Sequence, residues 1–416
     1  MFNGVKTYGG EKLLDEIFHA PLTNAQKINA RSKIFHFFQK GGYTFPIDNA
    51  EFITAEQYLS QTTYSNAAAS WFNALRIHAL ARIGIDREYQ LVREGLAATV
   101  QILKALKTFV KKMEQDTRQN MYAENCEIVK NILADKQLSW IESVQLHQDI
   151  KGLKCARYDH AIRYRLKNEM KTLLDILYDI DVNIAVAAVA NEKSLHYAVA
   201  NEQPQNTLYI EDVFHPGLKN AVSNTLYFDE KKNVIFLTGA NMAGKSTLMK
   251  AMGVATYLAH MGFPVPAKKM EFSVKDGMFT SINVPDNLTM GYSHFYAEVL
   301  RVKAIAKEVA SNRRLFIIFD ELFKGTNVKD AYEATVAITE AFSKNTNSSF
   351  IISTHIMEAG ETLRKEENNI QFVYLPTEIE NNAPVYSYKL REGITDDRHG
   401  MIIIRNEKII EIINGE

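Results

Sequence analysis

The sequence predicts an α/β domain in its second half and a largely α-helical domain in its first half. From residue 234 onward, short apolar runs alternate with amphipathic stretches, which is typical of a parallel sheet covered on both faces by helices. Before residue 204 proline is nearly absent, and long charged-apolar stretches such as 93–113 indicate helices. The polar, turn-rich segment that ends at residue 206 separates the two patterns, so we expect domains at 1–205 and 206–416.

The elements of the second half are predicted from their apolar patterns. Candidate parallel strands are 234–238, 277–282, 315–319 and 349–353, and candidate helices lie near 245–260, 294–311 and 328–344. Two later strands are expected at 370–375 and 385–390, with Pro376 and Asn381-Asn382 marking the turn between them. A ligand of such a sheet is expected at the carboxyl ends of its strands.

The first of these strands runs into Gly239-Ala-Asn-Met-Ala-Gly-Lys-Ser-Thr247, which has the Gly-x4-Gly-Lys-Ser spacing of a phosphate-binding loop. Gly239 and Gly244 allow the backbone to curl with its N–H groups directed at phosphate oxygens. The helix that starts at Lys245 adds the positive end of its dipole. The alternative, a glycine turn that merely joins a strand to a helix, is disfavoured by the complete match between this strand and this helix.

Two side chains of the loop have predicted individual roles. Lys245 is expected to reach the β- and γ-phosphates of a nucleotide, and the Ser246 hydroxyl is expected to ligate Mg²⁺. The residues predicted to bind the nucleotide here are Gly239, Ala240, Asn241, Met242, Ala243, Gly244, Lys245, Ser246 and Thr247.

Acidic side chains end the apolar strand at 315–319. Alone, they would be read as a solvated strand exit, and His355 as an ordinary surface or core histidine. Downstream of a phosphate loop, Asp320 is expected to hold Mg²⁺, and Glu321 to orient or deprotonate the attacking water. His355 follows the predicted strand at 349–353, where it could contact the γ-phosphate or the water. This combination predicts hydrolysis of ATP.

Composition narrows the class of protein. A length of 416 residues is sufficient for two domains with full cores. Cys126 and Cys155 are the only cysteines, which indicates a reducing cytosol rather than a disulfide framework. The N-terminus lacks a charged-then-apolar signal pattern, and the apolar window 173–190 contains three aspartates, so no membrane span is expected. We therefore expect a cytoplasmic protein without a membrane partner.

The charge of the chain does not by itself predict DNA binding. Residues 1–205 carry 25 Lys and Arg against 23 Asp and Glu, and the whole chain has a net charge of −1. Strong duplex binding usually depends on a basic face that makes many phosphate contacts. Basic residues do gather within 151–171, which is compatible either with a solvated helix face or with a nucleic-acid contact.

These motifs resemble those of the MutS DNA mismatch-repair ATPases. The phosphate loop is similar to the family's Gly-Pro-Asn-Met loop, with Ala240 in place of the proline. Asp320–Asn327 is similar to Asp-Glu-Leu-Gly-Arg-Gly-Thr-Ser, with Phe323 and Lys324 in place of Gly and Arg, and Ser353-Thr-His355 matches outright. The resemblance implies a P-loop ATPase domain of the ABC/MutS type behind a helical core and lever domain. It also implies a short protein that lacks the family's N-terminal mismatch-reading and connector domains.

A further match, Asp286–Glu298, resembles the signature segment of the family. It implies that Ser293 faces ATP bound to the opposite subunit, so that catalysis needs a homodimer. The sequence alone also allows Ser293 to be the N-cap of the helix predicted at 294–311, and both roles can coexist. The segment that covers the adenine in the family includes Val222 and Asn224 here, which makes them candidates for contacts with the base.

The resemblance implies a MutS-like ATPase that hydrolyses ATP at a composite dimer interface and thereby drives a conformational change, with mismatched or branched DNA as its partner. ATP and Mg²⁺ are the implied cofactors. Two alternatives remain open from the sequence: an ATP-gated protein-interaction switch, and a non-specific nucleic-acid clamp without mismatch recognition. The predicted catalytic residues are Glu321, His355, Lys245 and Ser293, and the predicted metal ligands are Ser246 and Asp320.

Overall fold

The computed structural model describes residues 1–61, 87–116, 121–145, 150–203, 205–282, 294–380, 383–395 and 409–414. The chain divides into two compact units. One consists of Met1–Ala20 and Lys33–Asn191, and the other of Pro21–Ser32 and Glu192–Glu416. Among the described helices, none combines the length and the apolar character that crossing a membrane requires.

The described part of residues 1–192 is helical, as the sequence predicts. The helices are α1 (Tyr8–His19), α2 (Ala25–Gly41), α3 (Asn49–Ser60), α4 (Arg87–Glu114), α5 (Ala123–Leu133), α6 (Gly152–His160) and α7 (Lys167–Glu192). A 3-10 turn covers Lys136–Ile141, and a π-helical turn covers Ala161–Arg165. The apolar side chains of α4 recur at helical spacing and are buried, among them Leu96, Leu103 and Val110, so this helix contributes a large share of the core.

The second unit contains the strands. They are β1 (His196–Tyr197), β2 (Val199–Asn201), β3 (Leu208–Val213), β4 (Asn224–Phe228), β5 (Val234–Gly239), β6 (Pro264–Val265), β7 (Lys269–Ser273), β8 (Gly277–Ser281), β9 (Leu315–Phe319), β10 (Ser349–Ser353), β11 (Ile370–Leu375), β12 (Thr377–Glu380), β13 (Ala383–Tyr386) and β14 (Arg391–Glu392). The helices of this part are α8 (Lys245–His260), α9 (His294–Ala310), α10 (Val328–Ser343), α11 (Met357–Glu366) and α12 (Ile409–Asn414).

A six-stranded sheet with the order β14-β11-β5-β10-β9-β8 forms the centre of this unit. All of its neighbouring strands pair in parallel except β14, which is antiparallel to β11. The three central strands β5, β10 and β9 are buried along their whole length, as expected for strands covered on both faces. The prediction of a mixed α/β fold, with a helical N-terminal part and a sheet in the C-terminal region, is confirmed.

Two features differ from the prediction. A second sheet with the order β2-β7-β3-β4 was not predicted. In addition, the strand expected at 385–390 was wrong in its bounds, because β12 and β13 form an antiparallel hairpin on either side of residues 381–382, and residues 387–390 belong to no strand. Asn381 and Asn382 themselves lie outside the described residues.

Lys275 is buried at the amino-terminal edge of the six-stranded sheet, between β7 and β8, with 3% of its surface exposed. Its ammonium group donates hydrogen bonds to the Oδ1 of Asn206 and, at 3.0 Å, to the Oγ of Ser349. Burial lowers the pKa of Lys275 to about 7, with a further decrease from Arg314 that Asp276 opposes. Both of its side-chain acceptors are neutral, so the charged form has little compensation for the loss of water.

We predict that Lys275 makes the stability of the protein rise with pH. The folded-state pKa is about 7, whereas an unfolded lysine has its ordinary pKa of 10.5, so between these values the unfolded state binds more protons. The destabilisation is therefore complete below pH 7 and is relieved as the pH increases, by at most about 1.4 kcal/mol per pH unit. Denaturant unfolding of wild type and Lys275→Met at pH 6 to 9 measures this difference.

The control is Lys250→Met, which removes an exposed lysine of α8. We expect its free energy of unfolding to follow that of wild type at every pH. Parallel curves for wild type and Lys275→Met would contradict the prediction.

Candidate active site

The carboxyl ends of three neighbouring strands meet at one edge of the six-stranded sheet. β5 pairs in parallel with β10, and β10 with β9, in a register that places Phe236 and Phe319 opposite Ile352. The residues that follow these strands are therefore neighbours in space although they are far apart in sequence. They are the glycine loop (residues 239–244), the acid pair Asp320 and Glu321, and His355.

The glycine loop contains three residues with a left-handed backbone. The φ angles are 146° at Gly239, 69° at Met242 and 99° at Gly244. A β-carbon at Gly239 would lie 3.0 Å from the carbonyl oxygen of Leu375, so a side chain at this position would collide with the backbone of β11. The backbone path of the loop thus requires glycine at its first position.

Helix α8 starts directly after the loop. Its N-cap is Gly244, which offers no side chain to the amides of the first turn. These amides lie at the positive end of the helix dipole and favour an anion as their partner. Ser246 and Thr247 belong to the same first turn, Ser246 half-buried and Thr247 exposed.

Lys245 is buried below the loop, with 5% of its surface exposed. Its Nζ donates hydrogen bonds to the carbonyl oxygens of Gly239, at 2.8 Å, and of Ala240, at 3.1 Å. Burial lowers its pKa, and the nearby carboxylates of Glu321 and Asp320 oppose this decrease. The acid pair therefore helps to keep this buried ammonium group charged.

Asp320 is held by Ser353, whose hydroxyl donates a hydrogen bond of 2.8 Å to its Oδ1. The amide of Asp320 donates to the carbonyl oxygen of Ser281 at the end of β8, at 2.9 Å. The other carboxylate oxygen, Oδ2, has no hydrogen-bond partner among the residues that the structure describes. This leaves one oxygen of a fixed carboxylate available to a ligand near Lys245.

Glu321 has a left-handed backbone with φ of 57°, and its carboxylate contacts two bases. His355 Nε2 lies 2.6 Å from Oε1, and Lys324 Nζ lies 3.6 Å from Oε2. Partial burial raises the pKa of Glu321, but the hydrogen bond and charge of His355, together with Lys324 and Lys245, outweigh it, so the pKa is lowered overall. The side chain is consequently ionised at neutral pH and is able to accept a proton or orient a water molecule.

Phe323 also has a left-handed backbone, with φ of 60°, although its side chain is 4% exposed. Its ring lies 6.0 Å from that of Phe295 in α9, centroid to centroid. This position corresponds to the glycine of the acidic motif quoted above, and glycine adopts positive φ without strain. In this chain the phenylalanine adopts a positive φ, and its side chain packs in the core.

A cavity of about 410 Å³ lies beside the glycine loop. Val222, Tyr388 and the turn 242–244 form part of its wall, with further residues from the segment after β3 and from α8. Val222 is 37% exposed and lines the cavity with its apolar side chain. Asn224 lines it as well, but its amide nitrogen donates to the carbonyl oxygen of Tyr388 at 2.9 Å, and its Oδ1 accepts from the amide of Leu390 at 2.8 Å. Asn224 therefore also anchors segment 388–390.

Sequence reasoning missed Tyr388 and the role of Ser353. Tyr388 has a left-handed backbone, and its ring lies against Gly244, 3.0 Å from where a β-carbon would stand. No sequence pattern indicates this contact, because Tyr388 is far from the loop in sequence and its segment is held beside the loop by tertiary hydrogen bonds such as those of Asn224. Ser353 is part of the Ser-Thr-His motif, yet its bond to Asp320 depends on the register of β9 and β10. Ser293 lies outside the described residues.

Comparison with known proteins agrees with these motifs. The profile of MutS domain V matches residues 235–414. DNA mismatch repair protein MutS of Bacillus mycoides (strain KBAB4) is 30% identical over 250 residues, which are 58% of this chain and 27% of the relative. The MutS protein of Clostridium botulinum (strain Okra / Type B1) is 31% identical over 273 residues, 60% of this chain and 28% of the relative. The MutS protein of Listeria welshimeri is 28% identical over 238 residues, which are 53% of this chain and 27% of the relative.

The match with these curated relatives thus spans little more than a quarter of their length. The matched profile contains β5, the acid pair and His355, which are the parts of the site described above. These matches support a MutS-family protein that is partial relative to a full-length MutS protein.

Proposed function

We propose that this protein is a MutS-like ATPase that hydrolyses ATP at a composite dimer interface and uses the resulting conformational change in a process related to DNA mismatch repair. The observation that carries the proposal is the meeting of three groups at one sheet edge: the glycine loop with its buried Lys245, Asp320 held by Ser353, and an ionised Glu321 bonded to His355. The relatives named DNA mismatch repair protein MutS support the wider context.

The glycine loop fits the phosphates of a nucleotide. Left-handed turns at Gly239 and Gly244 and the uncapped start of α8 supply backbone amides without a side-chain partner at the cap. Lys245 adds a charge whose hydrogen bonds go to two neutral carbonyl oxygens. A phosphate is a stronger acceptor than a carbonyl, so binding would compensate the desolvated ammonium group.

The residues present also fit Mg²⁺, which prefers oxygen ligands and retains several waters. Asp320 offers one carboxylate oxygen, and Ser246 offers a hydroxyl in the first turn of α8. When bound, the metal would neutralise charge that develops on the phosphoryl oxygens. Ser353 bonds the other carboxylate oxygen of Asp320, which restricts the rotation of this side chain.

Glu321 and His355 supply the chemistry at the attacking water. Phosphoryl transfer requires mainly that the nucleophile is positioned and that developing charge is stabilised. Glu321 is ionised and accepts hydrogen bonds, so it can orient a water molecule and take up its proton. The side chain of His355 lies beside Glu321 and is more than a third exposed, so it is able to contact the γ-phosphate.

The cavity beside the loop has a size and a lining that fit a purine base. The apolar side chain of Val222 and the ring of Tyr388 provide contact surfaces for a base, and the cavity lies next to the turn 242–244, where the phosphates would lie. Both amide atoms of Asn224 are occupied by segment 388–390, which favours a role in holding Tyr388 over direct recognition of the base. Ser293 of a second subunit would complete the site, as the resemblance implies.

The first test of this proposal is removal of the loop lysine. We expect Lys245→Ala to weaken ATP binding by roughly a hundredfold or more, because a buried charge that contacts phosphate is lost. Titration of a fluorescent ATP analogue measures the affinity. The control is Lys250→Ala in the same helix, where the side chain is exposed, and its affinity should equal that of wild type. Equal affinities for the two variants would rule out the proposed phosphate site.

A second prediction concerns the base. We expect Glu321→Gln to bind ATP but to lower its hydrolysis by about a hundredfold or more, since the amide cannot accept the proton of water. The variant should accumulate as an ATP-bound dimer, which light scattering with and without Mg-ATP detects. Glu333→Gln on the exposed side of α10 is the matched control and should hydrolyse ATP as wild type does. Hydrolysis by Glu321→Gln at the wild-type rate would show that another group is the base.

The third prediction addresses DNA. Within the basic segment 151–171, Lys154 and Arg157 are exposed on α6, whereas Arg163 is buried and paired with Asp159 at 2.6 Å. We expect Glu321→Gln with Mg-ATP to bind mismatched or branched DNA more tightly than homoduplex, in a salt-sensitive manner. Lys154→Glu combined with Arg157→Glu should weaken binding and reduce the salt dependence by about one unit per lost phosphate contact.

The control for this experiment is Lys33→Glu combined with Lys40→Glu, two exposed positions of α2 with the same change in charge. Equal losses of DNA affinity in the two double variants would show that the loss comes only from the change in net charge. Binding that is weak, insensitive to salt and without preference would contradict an action on DNA and would favour an ATP-gated protein-interaction switch.

A further inference from the structure

The side chain of Ser353 lies between the two carboxylate residues of the site. Its hydroxyl donates a hydrogen bond of 2.8 Å to Oδ1 of Asp320 and accepts one of 3.0 Å from the amide of Glu321. We propose that Ser353 is a positioning residue, which fixes the carboxylate assigned to Mg²⁺ and the carboxylate assigned to water relative to each other. The inference rests on the proposed ATPase function.

The directions of the two hydrogen bonds follow from the chemistry of the partners. An amide nitrogen only donates and an ionised carboxylate only accepts, so the single proton of the hydroxyl is directed at Asp320 and a lone pair at Glu321. Ser353 is 0% exposed, and no bulk water competes for either bond. A rotation of the hydroxyl would break at least one of the two bonds, so the arrangement has one favoured geometry.

The backbone at Glu321 explains why such a restraint is needed. Its φ of 57° is left-handed, a conformation that residues with a side chain adopt at a cost. Phe323, two residues later, has a φ of 60°. The amide of the intervening Leu322 is directed at the carbonyl oxygen of Ser353, at 3.4 Å. Ser353 thus contacts three successive residues of a turn that would otherwise relax.

The register of the sheet supplies the position of Ser353. Ile352 lies opposite Phe319, the last residue of β9, so the next residue of β10 is beside Asp320, the residue that follows β9. A serine at this place reaches both members of the acid pair without extending into the glycine loop. A residue with the same volume but no hydroxyl would fill the space and would leave the amide of Glu321 without its acceptor.

The test compares Ser353→Ala with Ser349→Ala. Ser349 begins the same strand, is 0% exposed and donates to Asn206, so both variants remove one buried hydroxyl from β10. For Ser353→Ala we expect the Mg²⁺ concentration at half-maximal ATP hydrolysis to rise about tenfold and kcat to fall about tenfold, the effect of losing a hydrogen bond to a charged group. ATP binding without Mg²⁺ should change less than twofold. Ser349→Ala should keep the wild-type Mg²⁺ dependence and kcat.

Ser353→Cys is the second variant in case the alanine does not fold, because a thiol has nearly the same shape but forms weak hydrogen bonds. It should also show the raised Mg²⁺ requirement. If wild type hydrolyses ATP and Lys245→Ala does not, but Ser353→Ala and Ser353→Cys retain the wild-type Mg²⁺ dependence and kcat, the inference is wrong and the proposed function stands. If wild type itself neither binds nor hydrolyses ATP, the proposed function fails.

Discussion

Parallel pairing of β5, β10 and β9 is the constraint on which the candidate site depends. Because the strands are parallel and fixed in register, their carboxyl ends lie at the same edge of the sheet. Residues 239, 320 and 353 are therefore neighbours. Two contacts of the site depend directly on this alignment: Ser353 reaches Asp320 across one strand spacing, and Lys245 lies near the acid pair. A slip by one residue in β10 would direct Ser353 to the other face of the sheet. The position of these residues in the site therefore depends on the register of the sheet.

Backbone strain is concentrated at the same edge. Left-handed residues occur in the glycine loop, at Glu321 and Phe323, and at Tyr388 beside the cavity. The three residues outside the loop are held by specific contacts: Ser353 bonds the amide of Glu321, Phe323 packs on Phe295, and Asn224 bonds the carbonyl of Tyr388. Such conformations persist where the surroundings over-determine them, and they are common at sites that bind ligands. The rigid sheet supplies these surroundings, and the strained segments carry the groups that would contact a nucleotide.

The sequence predicted the parts of the fold that have a strong periodic or apolar signal. The runs 234–238 and 315–319 are strands because continuous β-branched and aromatic residues are favourable only when both faces are covered. The second sheet was not predicted because its strands carry no continuous apolar run: in β4, buried Leu226 is followed by exposed Tyr227. The motif residues of the site could be identified individually, whereas the link from Asn224 to segment 388–390, about 160 residues later, is a tertiary contact without a local signal.

Two buried lysines of this unit differ in the groups that surround their charge. Lys275 and Lys245 both lose water on folding, which lowers the pKa of each. The side-chain acceptors of Lys275 are neutral, and its pKa falls to about 7, so near neutral pH it can bond Asn206 and Ser349 as an uncharged amine. Lys245 instead has two carboxylates nearby that favour its charged form. Lys245 is thus a charged donor beside backbone amides that have no side-chain cap, a combination that suits an anionic ligand. The opposite edges of one sheet therefore hold the same residue type in different electrostatic surroundings.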